Sequence, residues 1–354
     1  MHGTQGKGKT GERFLIIRLS AVGDILHTLP LAHTLRAHHP RAYIAWGVEA
    51  QHAPLLQGNP DIDEVIMVPT RQWRGQWSWK TVTAIRAFKQ ELRQRRFDVV
   101  LDVQGLLKSG IITYCTRAPM RIGFARKDCR EPLNTLFTTH RVEATVPGTH
   151  VIYRNLALLR PLGITAPRIA FPLSIPAEAE KRIDSLLHRQ GLAGVPFAVL
   201  HPGGGWPTKQ WGSRRYAVLS DTIQKRWGIR TVLTWGPGEE PLVQGIAGLC
   251  RHPPWVPPLL TLPELAALLR RARLLVGGDT GPLHLAAALR VPVVGIYGPT
   301  DPVRNGPFGT EQVIIHHPLP CSNCFWRRCP VIQCLHEITV EEVVQGVQRV
   351  MSNE

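Results

Sequence analysis

Short apolar runs alternate along this chain with longer segments that have the apolar period of an amphipathic helix. The apolar runs are typical of buried parallel strands, and they predict strands at residues 14–19, 43–48, 65–68, 98–103, 197–201, 231–234, 274–276 and 291–297. The amphipathic segments predict helices at residues 25–38, 81–95, 177–190, 215–226, 263–271 and 339–351. Strands that alternate with helices in this way predict α/β halves of the doubly wound type.

A proline-rich stretch at residues 147–172 interrupts the alternation and divides the chain into two halves. Because 354 residues are too many for one typical core, two domains are expected. We predict a disordered basic leader at 1–12, an N-terminal domain at 13–165 and a C-terminal domain at 175–334, followed by a helical tail at 335–354. Both domains have the same βα pattern, which predicts two Rossmann-like domains that face each other across a cleft.

The segment Leu274 to Thr300 has the most informative polar pattern, because strand, glycine turn, helix and strand follow one another directly. Asp279 and Thr280 are good N-cap residues, and Pro282 suits the first helical turn. The helix therefore begins at the carboxyl end of a parallel strand, where free N–H groups and the helix dipole favour a phosphate. A purely structural capping role is the alternative interpretation.

Three further polar loops follow predicted strands. Gly204 and Gly205 let backbone N–H groups approach a phosphate, and Lys209 adds a mobile positive charge, although the Walker pattern is absent. An acidic residue of the loop that ends in Glu239 and Glu240 can accept hydrogen bonds from a ribose diol, or the two acids serve only the helix dipole. Asp24 is either a helix cap or a general base. Three of the four loops lie in the second half, which we therefore expect to bind a nucleotide, whereas the first half binds the acceptor.

The charge balance is strongly basic, with 42 Lys and Arg against 26 Asp and Glu. This excess predicts an anionic partner: a phosphorylated substrate, a membrane surface or a nucleic acid. Basic segments at 71–80, 86–96 and 117–130 all fall in the predicted acceptor half. No apolar run is long enough to span a bilayer, and the N-terminus lacks the apolar core of a signal peptide. We therefore expect a cytoplasmic protein that charge holds on a membrane face.

Four of the seven cysteines lie close together in the sequence, at Cys321, Cys324, Cys329 and Cys334. Such density is compatible with a bound metal, with a redox-labile local link or with free thiols. The spacing is not that of a standard zinc ribbon, so all three interpretations stay open. The predicted function does not depend on them.

Together these motifs resemble the ADP-heptose:lipopolysaccharide heptosyltransferases, the family 9 glycosyltransferases of GT-B architecture. The resemblance covers nearly all residues from Phe14 to the end. It rests on four motifs: Ser20-x-x-Gly23-Asp24 with His27-Thr28-Leu29-Pro30; His201-Pro202-Gly203 with Lys209-x-Trp211; Trp235-Gly236 with Glu240; and Asp279-Thr280-Gly281-Pro282-x-His284-Leu285-Ala286-Ala287 followed by Tyr297-Gly298-Pro299-Thr300-Asp301-Pro302. The last motif is the most specific.

The resemblance implies an inverting transfer of a heptose from ADP-heptose to a Kdo or heptose hydroxyl of an anionic lipid A–core acceptor. The implied setting is lipopolysaccharide biosynthesis at the cytoplasmic face of the inner membrane, without a metal or another cofactor. It also implies that the tail helix packs back towards the N-terminal domain.

The resemblance assigns Asp24 as the catalytic base. The implied donor-binding residues are Gly204, Gly205, Lys209, Glu240, Asp279, Thr280, Gly281 and His284. We expect Asp279 to bind sugar hydroxyls while Thr280 and Gly281 serve the phosphates, and a buried structural role for His284 is the alternative. The predicted acceptor-binding residues are Arg71, Arg74 and Arg121, from the basic segments of the first half.

The chain departs from the family pattern at two places. Arg18 stands where a lysine is usual, which keeps the charge, and glycines stand where Thr or Ser commonly precedes the phosphate-binding lysine. Two alternatives remain: a GT-B transferase that uses another nucleotide sugar, and a basic nucleic-acid-binding protein. The second leaves the glycine- and acid-bearing loops at strand ends unexplained, so we expect no nucleic-acid partner.

Overall fold

The structure is a computed structural model that describes residues 11–70, 73, 79–144, 146, 148–309 and 311–352. It confirms the predicted fold class, because all strands pair in parallel within two separate α/β units. Unit 1 comprises Met1–Ser20, His27–Pro147 and Ile152–Pro172. Unit 2 comprises Ala21–Leu26, Gly148–Val151 and Leu173–Glu354. Residues 21–26, which the sequence analysis placed in the N-terminal domain, thus group with unit 2.

The strands are β1 (Arg13–Ile17), β2 (Tyr43–Val48), β3 (Glu64–Met67), β4 (Val99–Asp102), β5 (Met120–Phe124), β6 (His140–Val142), β7 (Phe197–His201), β8 (Arg230–Leu233), β9 (Leu274–Gly278), β10 (Val293–Tyr297) and β11 (Gln312–His316). The helices are α1 (Val22–Leu26), α2 (Leu29–His38), α3 (Trp79–Gln94), α4 (Leu107–Cys115), α5 (Val151–Leu156), α6 (Ala177–Arg189), α7 (Ser213–Trp227), α8 (Glu240–Leu249), α9 (Leu262–Leu269), α10 (Gly281–Ala288), α11 (Pro302–Asn305), α12 (Gln333–His336) and α13 (Val340–Ser352). Of these described helices, none is long and apolar enough to cross a membrane.

Unit 1 is built on a parallel sheet with the strand order β3-β2-β1-β4-β5-β6. Leu15 on the central strand β1 lies opposite Ala45 of β2 and Val100 of β4, and all three side chains are buried. Leu92 of α3 and Phe97 pack against this layer. Such nearly continuous apolar strands are expected where helices cover both faces of a sheet.

Unit 2 has the strand order β11-β10-β9-β7-β8, again parallel throughout. Glycines at the carboxyl end of β9 permit a close backbone approach there. A β-carbon on Gly278 would lie 2.9 Å from the carbonyl oxygen of Lys209, and one on Gly277 would lie 3.1 Å from that of His201. The loop that carries Lys209 can therefore pass directly over the end of the strand.

The predicted helix at residues 25–38 is in fact two helices, α1 and α2. Pro30 explains the break, because proline lacks the N–H group that a continuous helix needs and is tolerated only in a first turn. In the structure Pro30 is the second residue of α2. The consequence is that Asp24 lies on a separate short helix, α1.

The tail helix α13 lies within one residue of its predicted bounds and packs on unit 2. Val343, Val344 and Val347 are fully buried in the core of unit 2, where α13 contacts β10, β11 and α7. One apolar face of α13 thus covers the β10–β11 side of the second sheet. The expectation that this helix packs back towards the N-terminal domain stays a prediction.

Candidate active site

Lys209 and Asp279 form a buried ion pair at the carboxyl edge of the second sheet. The ammonium Nζ of Lys209 lies 2.8 Å from Oδ2 of Asp279 and donates a second hydrogen bond, of 2.7 Å, to the Asp279 carbonyl oxygen. The side chains are 13% and 7% exposed. The predicted donor-binding residues Lys209 and Asp279 are therefore in direct contact.

His284 completes this cluster from the first turn of α10. Its Nε2 donates to Oδ1 of Asp279 at 2.9 Å, so the carboxylate is held from both sides. Burial on its own would raise the pKa of the Asp279 carboxyl. The hydrogen bond and charge of His284, together with Lys209, outweigh burial and hold that pKa well below its usual range. Asp279 is thus ionised at every physiological pH.

The segment that carries Asp24 packs against the start of α10. A β-carbon on Gly23 would lie 2.7 Å from Cδ2 of His284, and a β-carbon on Gly281 would lie 2.8 Å from Cβ of Val22. At each contact a glycine on one helix leaves room for a side chain of the other, His284 against Gly23 and Val22 against Gly281, so α1 and α10 pack closely. The structure brings Asp24 into the neighbourhood of the Lys209–Asp279 pair.

Asp24 itself lies in the first turn of α1 and is partly exposed. Its Oδ2 accepts a hydrogen bond of 3.4 Å from the backbone N–H of Ala21. This long bond joins the third residue of the helix to the N–H of the residue before it, as in one half of a capping box, and is not an N-cap bond. The partial exposure also leaves the carboxylate accessible to a substrate, which a general base requires.

Glu239, rather than the predicted Glu240, reaches the glycine loop. Its carboxylate accepts hydrogen bonds from the N–H groups of Gly204, at 3.0 Å, and Gly236, at 2.8 Å. A β-carbon on Gly203 would collide with the same carboxylate. Glu240 is exposed at the first position of α8, and its ribose contact stays a prediction. The clue that the sequence offered was only the pair of acids itself.

The remaining donor-loop residues agree only in part with their expected roles. The hydroxyl of Thr280 donates to the Gly278 carbonyl oxygen at 3.2 Å and makes no cap bond, although Thr280 is the N-cap of α10. The side-chain cap expected of Asp279 or Thr280 is therefore absent from this described helix. Gly281 begins α10, whose first backbone N–H groups have no partners within the helix. Gly205 is exposed with open space around it.

The predicted acceptor-binding arginines receive less support. Arg71 and Arg74 lie outside the described residues. Arg121 is the second residue of β5 and donates to the carbonyl oxygens of Phe137, at 2.9 Å, and Ala118, at 2.6 Å. It thus lies near the start of its strand, at the edge of the sheet opposite the carboxyl ends, and holds the backbone there. The acceptor-binding role of Arg121 stays a prediction.

All seven cysteines are described, and all are free thiols. In the described part of the chain, no group of His, Cys, Asp or Glu is arranged to hold a metal ion. Cys329 accepts a hydrogen bond of 3.4 Å from the N–H of Ile332, and such backbone bonds lower the pKa of its thiol. The three interpretations of the segment with Cys321, Cys324, Cys329 and Cys334 stay open.

Two parallel α/β units, with the Asp24-bearing helix α1 packed on the start of α10 and the Lys209–Asp279 ion pair at the same helix start, are typical of a glycosyltransferase of GT-B architecture. Comparison with known proteins gives the family. The family model described as glycosyltransferase family 9 (heptosyltransferase) matches residues 85–335, and this chain belongs to that family.

Three relatives illustrate the similarity. Lipopolysaccharide heptosyltransferase 1 of Pseudomonas aeruginosa is 34% identical over 325 residues, which cover 90% of this chain and 87% of the relative. The structure of E. coli heptosyltransferase WaaC with ADP has a TM-score of 0.76 and 28% identity, and the match covers 96% of this chain and 99% of that one. WaaC with ADP-2-deoxy-2-fluoro heptose gives a TM-score of 0.74 and 27% identity, over 95% and 99% of the two chains.

Proposed function

We propose that this enzyme transfers a heptose from ADP-heptose to a Kdo or heptose hydroxyl of the lipid A–core acceptor, with inversion at the anomeric carbon. The observation that carries the proposal is the contact between Gly23 and His284. This contact brings Asp24 close to the Lys209–Asp279 pair. The relatives support the donor, since WaaC has been solved with ADP and with a fluorinated ADP-heptose.

In the proposed reaction Asp24 removes the proton from the acceptor hydroxyl as its oxygen attacks the anomeric carbon. A bond forms between that oxygen and the carbon while the bond from the carbon to the diphosphate oxygen breaks. ADP leaves with the bonding electrons, and the proton stays on Asp24. A positioned carboxylate of this kind typically contributes about 10²- to 10⁴-fold to the rate.

The departing diphosphate develops negative charge, and positively polarised groups of the site can stabilise that charge. Lys209 supplies an ammonium, and the first N–H groups of α10 point out of the helix start beside it. These donors are already in place before the reaction, so they need no reorganisation in the transition state. Asp279, held by Lys209 and His284, is oriented to accept hydrogen bonds from sugar hydroxyls.

We assign the ribose contact to Glu239. The family resemblance had implied Glu240 for this contact. The carboxylate of Glu239 lies against the glycine loop and bonds two backbone N–H groups, which fixes its direction. A carboxylate fixed in this way can accept hydrogen bonds from a ribose diol, as acids do at other nucleotide sites. Glu240 is exposed and has no such fixed orientation.

We place the enzyme at the cytoplasmic face of the inner membrane, held there by charge. Trp79 at the start of α3 is 85% exposed, and Arg86 on the same helix is also exposed. Near-surface cations contribute on the order of 1 kcal/mol each to binding at an anionic leaflet. In co-sedimentation with vesicles that contain anionic lipid, Arg86→Glu should reduce binding, whereas Lys181→Glu on α6 serves as the control. Equal binding of both variants and the wild type would show that α3 does not contribute to membrane binding.

Calorimetric titration with ADP, UDP and GDP tests the donor class. The proposal predicts selective binding of ADP by the wild type, and the same ADP affinity for Asp24→Asn. A preference for UDP or GDP would agree with a glycosyltransferase but would contradict ADP-heptose as the donor. A large loss of ADP affinity in Asp24→Asn would show that Asp24 serves donor binding rather than the acceptor.

A further inference from the structure

Trp206 lies in contact with two cations at the donor loop. The ammonium of Lys209 is 4.5 Å from the centroid of the Trp206 ring, and the guanidinium carbon of Arg327 is 4.9 Å from the same centroid. The two cations are therefore at most about 10 Å apart. Arg327 comes from a distant part of the sequence, between Cys324 and Cys329, and none of the donor-site motifs includes it.

The segment that carries Arg327 is fixed against the donor loop by backbone contacts. The hydroxyl of Thr208, which is 2% exposed, donates to the carbonyl oxygen of Trp326 at 2.7 Å. The N–H of Phe325 donates to the Pro299 carbonyl oxygen at 2.9 Å, just after β10. These two bonds hold residues 325 and 326, so the place of Arg327 beside Trp206 follows from the backbone and not only from a flexible side chain.

The net charge of the site favours a second cation for binding a diphosphate. The ammonium of Lys209 is already paired with the buried carboxylate of Asp279 at 2.8 Å, so much of its charge is offset locally. A nucleoside diphosphate carries at least two negative charges. Arginine suits such a group better than lysine, because its planar guanidinium donates two parallel hydrogen bonds and stacks on aromatic rings.

The geometry points to Arg327 as a donor-binding cation that contacts the diphosphate of the nucleotide sugar while it is stacked on Trp206. Lys209 and Arg327 both bind the diphosphate of the donor. Arg327 also stabilises the negative charge of the diphosphate as ADP leaves. This inference rests on the proposed function of the same site. It adds to that function a binding residue from the cysteine-bearing segment.

The test compares Arg327→Ala, Arg327→Lys and the matched control Arg328→Ala. Arg328 is also exposed, but it is not among the cations that the described residues place over an aromatic ring. Titrations use ADP and AMP as probes. Arg327→Ala should weaken ADP binding about tenfold or more and AMP binding much less, because a contact to the diphosphate is lost. Arg327→Lys should recover part of that loss, and Arg328→Ala should bind both nucleotides as the wild type does.

Donor kinetics separate binding from a merely structural role. Arg327→Ala should raise KM for the nucleotide sugar and leave KM for the acceptor unchanged. Trp206→Leu should reproduce the loss of ADP affinity, and Trp206→Phe, which keeps an aromatic face, should reproduce it only in part. Unchanged ADP affinity in Arg327→Ala, or an equal loss of ADP and AMP affinity, would overturn the inference.

The wild-type titration distinguishes this inference from the proposed function. If the wild type prefers another nucleoside diphosphate, the proposal that ADP-heptose is the donor is contradicted. The same comparison of diphosphate with monophosphate then tests Arg327 with that nucleotide. If the wild type binds none of them, both proposals fail.

Discussion

Gly23 and His284 approach each other so closely that a β-carbon at position 23 would lie 2.7 Å from Cδ2 of the imidazole ring. The ring cannot easily yield, because it is buried and donates to the Asp279 carboxylate. The catalytic-base candidate Asp24 is the next residue after Gly23. The position of the base therefore depends on the same histidine that orients the donor-site carboxylate.

Gly23→Ala should move α1 away from α10 and lower kcat. Two effects oppose each other. Alanine favours a helix by about 0.8–1 kcal/mol, whereas forcing a methyl group into packed space costs about 1–3 kcal/mol. The clash should dominate. Because small displacements of reacting groups can lower rates about 10²-fold, we expect a fall in kcat that exceeds any fall in stability.

The control for this variant is Gly245→Ala in the middle of α8, where a β-carbon meets nothing within 4 Å. Helix propensity alone should act there, so thermal unfolding should occur at the same or a slightly higher temperature. Turnover should be unchanged. If Gly23→Ala behaved like Gly245→Ala in both measurements, the close approach of α1 to α10 would have no functional role.

Lys209→Met should weaken ADP binding and also destabilise unit 2. A hydrogen bond to a charged group contributes about 1.5–3 kcal/mol, which corresponds to a loss of affinity of roughly ten- to more than a hundredfold. The Asp279 carboxylate keeps His284 as a partner, so the added stability cost should stay below the about 3–5 kcal/mol of a fully broken buried pair. Titration calorimetry and thermal unfolding measure the two effects, and Lys181→Met on the exposed face of α6 is the control. Full ADP affinity in Lys209→Met would exclude a phosphate contact.

Asp279→Asn should destabilise the protein at neutral pH but much less in acid. In the native protein the pKa of the Asp279 carboxyl lies below 3.8, its ordinary value, so the unfolded state binds more protons. The stabilisation is therefore fully present above about pH 5 and is lost as the pH falls through the ordinary value towards the native one. Unfolding temperatures of the wild type and the variant should differ at pH 7 and still differ at pH 4, and the difference should shrink only as the pH falls below 3.8 towards the native pKa of Asp279. A difference that is independent of pH would contradict the buried ion pair.

Glu239→Gln should weaken ADP binding about five- to tenfold, because a neutral amide replaces a carboxylate that holds two backbone N–H groups. Glu240→Gln is the matched control, since Glu240 is adjacent but exposed. Calorimetric titration of both variants with ADP measures the difference. The opposite order of effects would restore Glu240 as the ribose-binding acid.

The apolar pattern was sufficient to predict the α/β class, because each buried parallel strand is a short continuous apolar run. Three described strands escaped prediction. In β5 and β6, arginine and histidine interrupt the apolar run, and β11 is only partly buried. The break between α1 and α2 was also readable in principle from Pro30. The place of α13 was not, since an amphipathic helix shows which face is apolar but not which sheet covers it.

The site shows the same limit. Lys209, Asp279 and His284 were predicted from their places after strands, and the structure brings them into contact. The roles of adjacent residues such as Glu239 and Glu240 depend on a turn of the backbone that residue spacing does not determine. Arg327 lies beyond any local pattern, since its contact with Trp206 joins positions 121 residues apart.

Heptose transfer by Asp24→Asn tests the central claim most directly. Wild type and variant are incubated with ADP-heptose and a Kdo–lipid A acceptor, and the product is followed by mass spectrometry, with the anomeric configuration determined by NMR. The wild type should form the heptosylated product with inversion. Asp24→Asn should bind ADP-heptose with unchanged affinity but turn over about 10²- to 10⁴-fold more slowly. Turnover of the variant within a few-fold of the wild type would show that Asp24 is not the base.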